Sequence, residues 1–305
     1  MPEPFAITVG IATRNRPQSL MRCVESLALL GDLVTQIIVA DDSSEVPAAH
    51  ALAGVPLPVA AKLQVVRHTQ SEGPIAGRNA IMKRATNDYV LSLDDDAFLL
   101  EAAGIVRAVA LMESHPTIAA IACAQAEADG APWPAGMQPA PVSYACAVSA
   151  FIGFAGVLRR SAFHAVGGYR ESLYFYGEEK DLCVRLWNAG HEVVYLPDVR
   201  VAHVPDRSGR SPARYVRYVI RNDCLFALYN EPLPLPFFSV PIRLARYFSM
   251  SHGQADPGGL GWIVRDLVRS LPSVLGGRRP VTWKSLWRWR RVQRTSPAFP
   301  MAATP

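Results

Sequence analysis

The chain has 305 residues, half of them apolar and 19% charged, a balance that excludes a disordered chain and suits one large α/β domain with a tail. The formal net charge of +5 is uneven: residues 229–305 hold 11 Lys and Arg against 3 Asp and Glu, so the rest of the chain is slightly acidic. No run of about 18 apolar residues occurs and no basic stretch precedes the first apolar run, so neither a spanning helix nor a secretory signal is expected. The five cysteines are scattered through apolar patterns and read as buried thiols of a reducing, cytoplasmic protein.

In chain order, residues 6–11 form a β-rich apolar run that reads as a strand. Pro17 then opens a helix on which Leu20, Cys23, Val24 and Leu27 recur at helical spacing. Residues 37–40 give a second strand, ending in Asp41-Asp42-Ser43-Ser44, and residues 63–66 a third. A helix over 76–85 is entered from Ser71-Glu72-Gly73-Pro74. Residues 89–93 form a fourth strand, ending in Asp94-Asp95-Asp96. A helix through Ile105, Val106, Val109 and Met112 follows, then a strand over 118–123. Residues 130–141, rich in Pro, Ala and Gly, read as a mobile loop. The pattern predicts a helix over 178–189 stopped by Gly190, two short strands over 191–196 and 199–204, and a helix over 215–229. Pro232, Pro234, Pro236 and Pro241 then break the chain, which places a domain boundary near Tyr229. The alternation of strand and helix predicts an α/β fold with a mostly parallel sheet, in which ligands bind beyond the carboxyl ends of the strands. Both acidic clusters sit at such ends.

Several of these residues carry chemistry. Three adjacent carboxylates repel one another unless solvent or a cation intervenes, and their hard oxygens suit Mg2+ or Mn2+. Asp41 and Asp42 are acceptors for a base N–H or ribose hydroxyls, or simply an Asx turn. Arg78 lies in the first turns of a helix, where anions are attracted. Glu178 and Glu179 begin another helix and serve either its dipole or a general base. His203, at the end of an apolar strand, is a core residue or a metal ligand.

The order of these segments is more specific than any one of them. Ala12-Thr13-Arg14-Asn15-Arg16-Pro17, Asp41-Asp42-Ser43-Ser44, Gly77-Arg78-Asn79, Asp94-Asp95-Asp96, Gly167-Gly168-Tyr169, Gly177-Glu178-Glu179-Lys180-Asp181-Leu182 and His203 together resemble the family 2 glycosyltransferases, over roughly residues 6–222. The resemblance implies a GT-A fold and an inverting, metal-dependent transfer of a sugar from a UDP-, GDP- or dTDP-linked donor to a glycan or lipid-linked acceptor. It implies that Thr13, Arg14, Asp41 or Asp42, Arg78, Asp94 and Asp95 meet the donor, and that residues 151–156, Gly153 among them, wall the sugar. Asp96, Asp94 and His203 would hold Mg2+ or Mn2+. The family reads Glu-Asp where this chain has Glu178-Glu179, so the base is expected to be Glu179 ahead of Glu178. Residues 1–228 would be the catalytic domain, and residues 229–305 a basic, aromatic-rich helical extension.

In that extension Ile263, Val264, Leu267, Val268 and Leu271 share a helical face, and Trp283, Lys284, Trp287, Arg288, Trp289, Arg290 and Arg291 mix aromatic with basic residues. Such a composition fits peripheral contact with anionic membrane, or packing on the catalytic domain or a second copy. The rival readings are a nucleotidyltransferase, disfavoured because residues 12–17 contain no glycine, and a degenerate sugar-nucleotide-binding protein. Nucleic-acid binding is not expected.

Overall fold

The strand read over 6–11 is β1 (Ile7–Thr13) in the computed structural model, which describes residues 5–205, 211–251 and 256–300. Its side chains are buried on both faces, as befits a central parallel strand with helices above and below. After α1 (Pro17–Ser26), β2 (Val34–Asp41) pairs parallel with one edge of β1. Short helices α2 (Ala48–Ala51) and α3 (Leu57–Ala60) lead to β3 (Leu63–Arg67), parallel to β2. Helix α4 (Pro74–Arg84) crosses over to β4 (Tyr89–Asp94), parallel to the other edge of β1. The crossover packs closely, because a Cβ at Gly10 of β1 would land on Ile81 of α4.

The parallel pattern ends at β4. Beyond β5 (Ala97–Leu99), α5 (Ala103–Ser114) and β6 (Ile118–Ala126) come β7 (Cys146–Ala147) and β8 (Ala155–Arg159). β8 runs antiparallel between β4 and β6. Helices α6 (Arg160–Ala165) and α7 (Glu178–Asn188) precede β9 (Glu192–His203). The sheet order is β3-β2-β1-β4-β8-β6-β9-β5, with β7 also on β9. The strand direction changes between β4 and β8, and in open α/β sheets such a change marks the end at which ligands bind.

Residues 191–196 and 199–204, expected as two strands, are one. Pro197 and Asp198 are absorbed as a bulge: Leu196 pairs with Cys123 and Arg200 with the next residue, Ala124. A bulge is where a strand tolerates the missing N–H of proline. Residues 130–141 form a loop that Gln138 ties down, its side chain bonding the Gln125 backbone N–H at 2.8 Å and carbonyl at 2.9 Å.

The last helices are α8 (Pro212–Asn230), α9 (Leu235–Met250), α10 (Gly259–Gly277) and α11 (Trp283–Thr295). Val274, Leu286, Trp289 and Val292 belong to the same hydrophobic cluster as Val90 and Leu158. The Trp289 Nε1–H donates to the Ser149 carbonyl at 2.8 Å. All five cysteines are free and buried.

Candidate active site

β1, β2 and β4 end side by side, and their last residues build one rim. Asp41 and Asp42 close β2 but part company there. Asp41 is fully buried and accepts from the Ser44 and Ala48 N–H groups and from Arg67. Its oxygens therefore face the protein, and the donor contact expected of Asp41 is not available in this geometry. Asp42 accepts from the Ser71 hydroxyl at 2.7 Å and from the Glu72 and Gly73 N–H groups. Ser71 Oγ in turn accepts from Arg14 at 2.6 Å, so Arg14, Ser71 and Asp42 form one cluster. Burial opposes the charge on both aspartates, but their several donors outweigh it and hold both carboxyls below the usual range.

Arg78 is the junction of the site. It is 8% exposed, in the second turn of α4. Its guanidinium donates to Asp94 at 2.6 Å, to Glu178 at 2.6 Å and to the Gly153 carbonyl at 3.4 Å, and stands 3.6 Å from Glu179. One fork thus joins the end of β4, the segment before β8 and the first turn of α7. Burial would weaken its charge, yet Asp94, Glu178 and Glu179 outweigh that and hold the guanidinium firmly protonated.

The rest of the aspartate run is the turn after β4. Asp95 accepts from the Thr13 hydroxyl at 2.7 Å, and Arg16 bridges Asp95 and Asp96 at 3.0 and 3.1 Å. Burial pushes the Asp95 carboxyl up to about 6 against the pull of Arg16. Asp96 also lies 3.5 Å from His203 Nε2. The His203 ring stacks between Trp133 and Phe154, with centroids 5.3 and 5.0 Å away. Gln125 sets its tautomer. The Gln125 amide nitrogen donates to the Met137 carbonyl, so its oxygen is left to accept from His203 Nδ1 at 2.7 Å. Nε2 is then the ring nitrogen that faces the Asp96 carboxylate.

The Asp96 oxygens and a neutral imidazole nitrogen are atoms of the kind that bind a divalent ion, so the pair fits one. Asp94 does not join them; it is turned to Arg78. Among the described residues no group of three or more His, Cys, Asp or Glu stands close enough to hold a metal alone. The set suits a hard cation that brings most of its oxygen ligands with it.

The two glutamates differ sharply. Glu178 is 3% exposed, paired with Arg78, and its buried Oε2 takes no hydrogen bond. Glu179 carries no such short contact. Burial and the adjacent Glu178 charge push its carboxyl well above the usual range, and Arg78 only partly offsets them. A Cβ at Gly153 would fall on the Glu179 carboxylate, so glycine there makes room for it. Before α7 the chain turns tightly, with Tyr174 at φ 60° and Tyr176 at φ 69°. Asn222 of α8 holds that turn, its amide nitrogen reaching the Leu173, Phe175 and Tyr176 carbonyls at 2.7–3.0 Å.

No role was expected of Arg16, Gln125, Trp133 or Asn222, and Phe154, expected in the sugar wall, stacks on His203 instead. Gln125 left a signal, as the lone amide in the apolar run of β6; the others sit in positions that only the fold brings together.

Residues 8–166, just over half the chain, match the family model of Glycosyl transferase family 2, and residues 138–206 match that of the N-terminal domain of galactosyltransferase. The chain belongs to glycosyltransferase family 2. The pre-mycofactocin glycosyltransferase of Mycobacterium tuberculosis is 33% identical over 216 residues, which cover 65% of this chain but only 42% of that relative. The amylovoran biosynthesis glycosyltransferase AmsE of Erwinia amylovora is 26% identical over 203 residues, 64% of this chain and 74% of that protein. A mannosyltransferase from Pyrobaculum calidifontis, solved in complex with GDP-Man and Mn2+, superposes with a TM-score of 0.60 at 17% identity, over 95% of this chain and 83% of that one. The fold is that of the GT-A glycosyltransferases, with added helices at the C-terminus.

Proposed function

We propose that the chain moves a sugar from a nucleoside-diphosphate donor to an acceptor hydroxyl with inversion at the anomeric carbon, in the assembly of a surface glycan, a glycolipid or a glycosylated metabolite. The observation that carries this reading is the Arg78 fork, which ties the donor-side Asp94 to Glu178 and places Glu179 beside them. Thr13, Arg14, Ser71 and Asp42 line the end at which a nucleoside would lie. Arg78, Asp94 and Gly153 line the sugar end, and the orphaned Glu178 Oε2 is an acceptor suited to a sugar hydroxyl.

Asp96 and His203 would hold Mg2+ or Mn2+. The ion would offset the charge that builds on the departing diphosphate. Glu179 takes the proton of the acceptor hydroxyl as its oxygen attacks the anomeric carbon. The bond from that carbon to the diphosphate oxygen breaks, and its electron pair leaves with the nucleoside diphosphate. One protein carboxylate suffices, in contrast to the two of glycosidases.

A thermal-shift panel of UDP, GDP, dTDP and their sugars, with and without Mn2+, tests the donor reading. One nucleotide series should raise Tm, and more so with metal. No shift with any nucleotide under either condition would refute it.

A further inference from the structure

The helices after residue 230 carry a concentration of exposed apolar side chains. Eleven of the nineteen exposed large apolar side chains among the described residues lie between Leu233 and Trp287. Most of them lie on α9 and α10, which both pack on α8. On α9, Phe237, Phe238, Ile242 and Phe248 are 64–72% exposed. On α10 the expected apolar face divides in two. Ile263, Leu267 and Val274 pack inward, while Val264, Val268, Leu271 and Leu275, spaced i, i+4, i+7 and i+11, face out. Arg265 and Arg269 follow the outer stripe on its side away from the core.

Charge selects what covers this surface. Residues 235–300 contain eleven Arg and Lys but only two acids, Asp256 and Asp266. Both acids are taken, by Arg217 and Arg221. Arg265, Arg269, Arg279, Lys284, Arg291 and Arg294 are exposed and make no ion pair among the described residues. A second copy of the same face would bring Arg265 and Arg269 against their own counterparts. A surface of anionic headgroups over acyl chains meets both demands. Apolar side chains enter the boundary while the arginines stay with the phosphates. No helix of the described residues is long and apolar enough to cross a membrane, so contact is along the surface.

We infer that α9 and the outer stripe of α10 are a docking face for anionic bilayers. The aromatic-basic segment of residues 283–291 is not its centre, because Leu286 and Trp289 are in the core. The inference goes beyond the proposed chemistry and is read without it. The full chain is sedimented with vesicles of phosphatidylcholine alone or with about one-third phosphatidylglycerol. It should pellet with the anionic vesicles, at low salt, and not with the neutral ones. Arg265→Gln with Arg269→Gln should weaken binding roughly 30-fold, and Phe237→Glu with Phe238→Glu should abolish it. Unchanged thermal melts would show that these surface variants still fold. Equal pelleting with both vesicle types, or none with either, overturns the inference. So does a dimer in light scattering that the same substitutions convert to monomer.

Discussion

Arg78 stands among three carboxylates with one positive charge, so its loss has two effects. Arg78→Ala leaves the buried Glu178 and the half-buried Asp94 without their partner, and should lower stability by about 3–5 kcal/mol. Transfer should fall at least as steeply. Arg78→Lys keeps the charge but not the fork, and should recover stability better than activity; denaturant melts read beside donor turnover make the comparison. Gly153 acts through space alone. Gly153→Ala pushes a methyl into the Glu179 carboxylate and should cut kcat about 100-fold while the thermal shift by nucleotide persists; an unaffected kcat would place the base elsewhere. Glu179 itself predicts a pH profile. Its folded pKa lies above the ordinary 4.5, so the basic form is scarce at low pH and grows as pH rises. kcat/KM should therefore climb with pH through a limb displaced upward from a free carboxylate, and Glu179→Gln should remove that limb along with a factor of about 100–10,000 in rate.

Among the elements, β6 and β9 hold the metal-binding candidates to one tautomer. Gln125 of β6 donates to the Met137 carbonyl and thereby accepts from His203 of β9. Gln125→Leu removes the acceptor without removing a ligand. Mn2+ affinity, read by titration calorimetry in the presence of the stabilising nucleotide, should drop about 10–100-fold. The strands and helices that carry the site were legible because apolar periodicity is local: β1, β2, β4 and the start of α7 fall within a few residues of where the sequence places them. What faces what was not legible. Asp41 and Asp42 are equivalent in the sequence, but Asp41 is drawn inward by the N–H groups of its own turn and by Arg67, a contact that depends on β3 lying beside β2. Arg16 was visible in its motif, yet its bridging of Asp95 and Asp96 depends on β1 and β4 being neighbours. The continuity of β9 was hidden because Pro197 reads as a break until β6 supplies a bulge to take it.

Across the molecule, α8 is common to the chemistry and to the added helices. One side of it pins the Tyr174–Tyr176 turn through Asn222, and α9 and α10 flank it, Asp266 of α10 pairing with Arg221 at 2.7 Å. Two tyrosines at positive φ cost about 1–3 kcal/mol each and persist only while something holds them. Asn222→Ala should therefore lower kcat with little change in nucleotide-induced thermal shift, since the turn aims α7 and not the donor rim; an equal loss of both would show a general loosening instead.

The Arg78 junction also divides the chain by position. Everything proposed to meet the nucleoside comes from the first hundred residues, and the proposed base and its supports come from residues 150–230. The Arg78 guanidinium touches both groups. Mutations that retune the nucleotide can then accumulate without disturbing the chemistry, and mutations that retune the acceptor without disturbing the nucleotide, provided Arg78 keeps both hands. Such a layout lets one scaffold be re-addressed to new sugar pairs one half at a time.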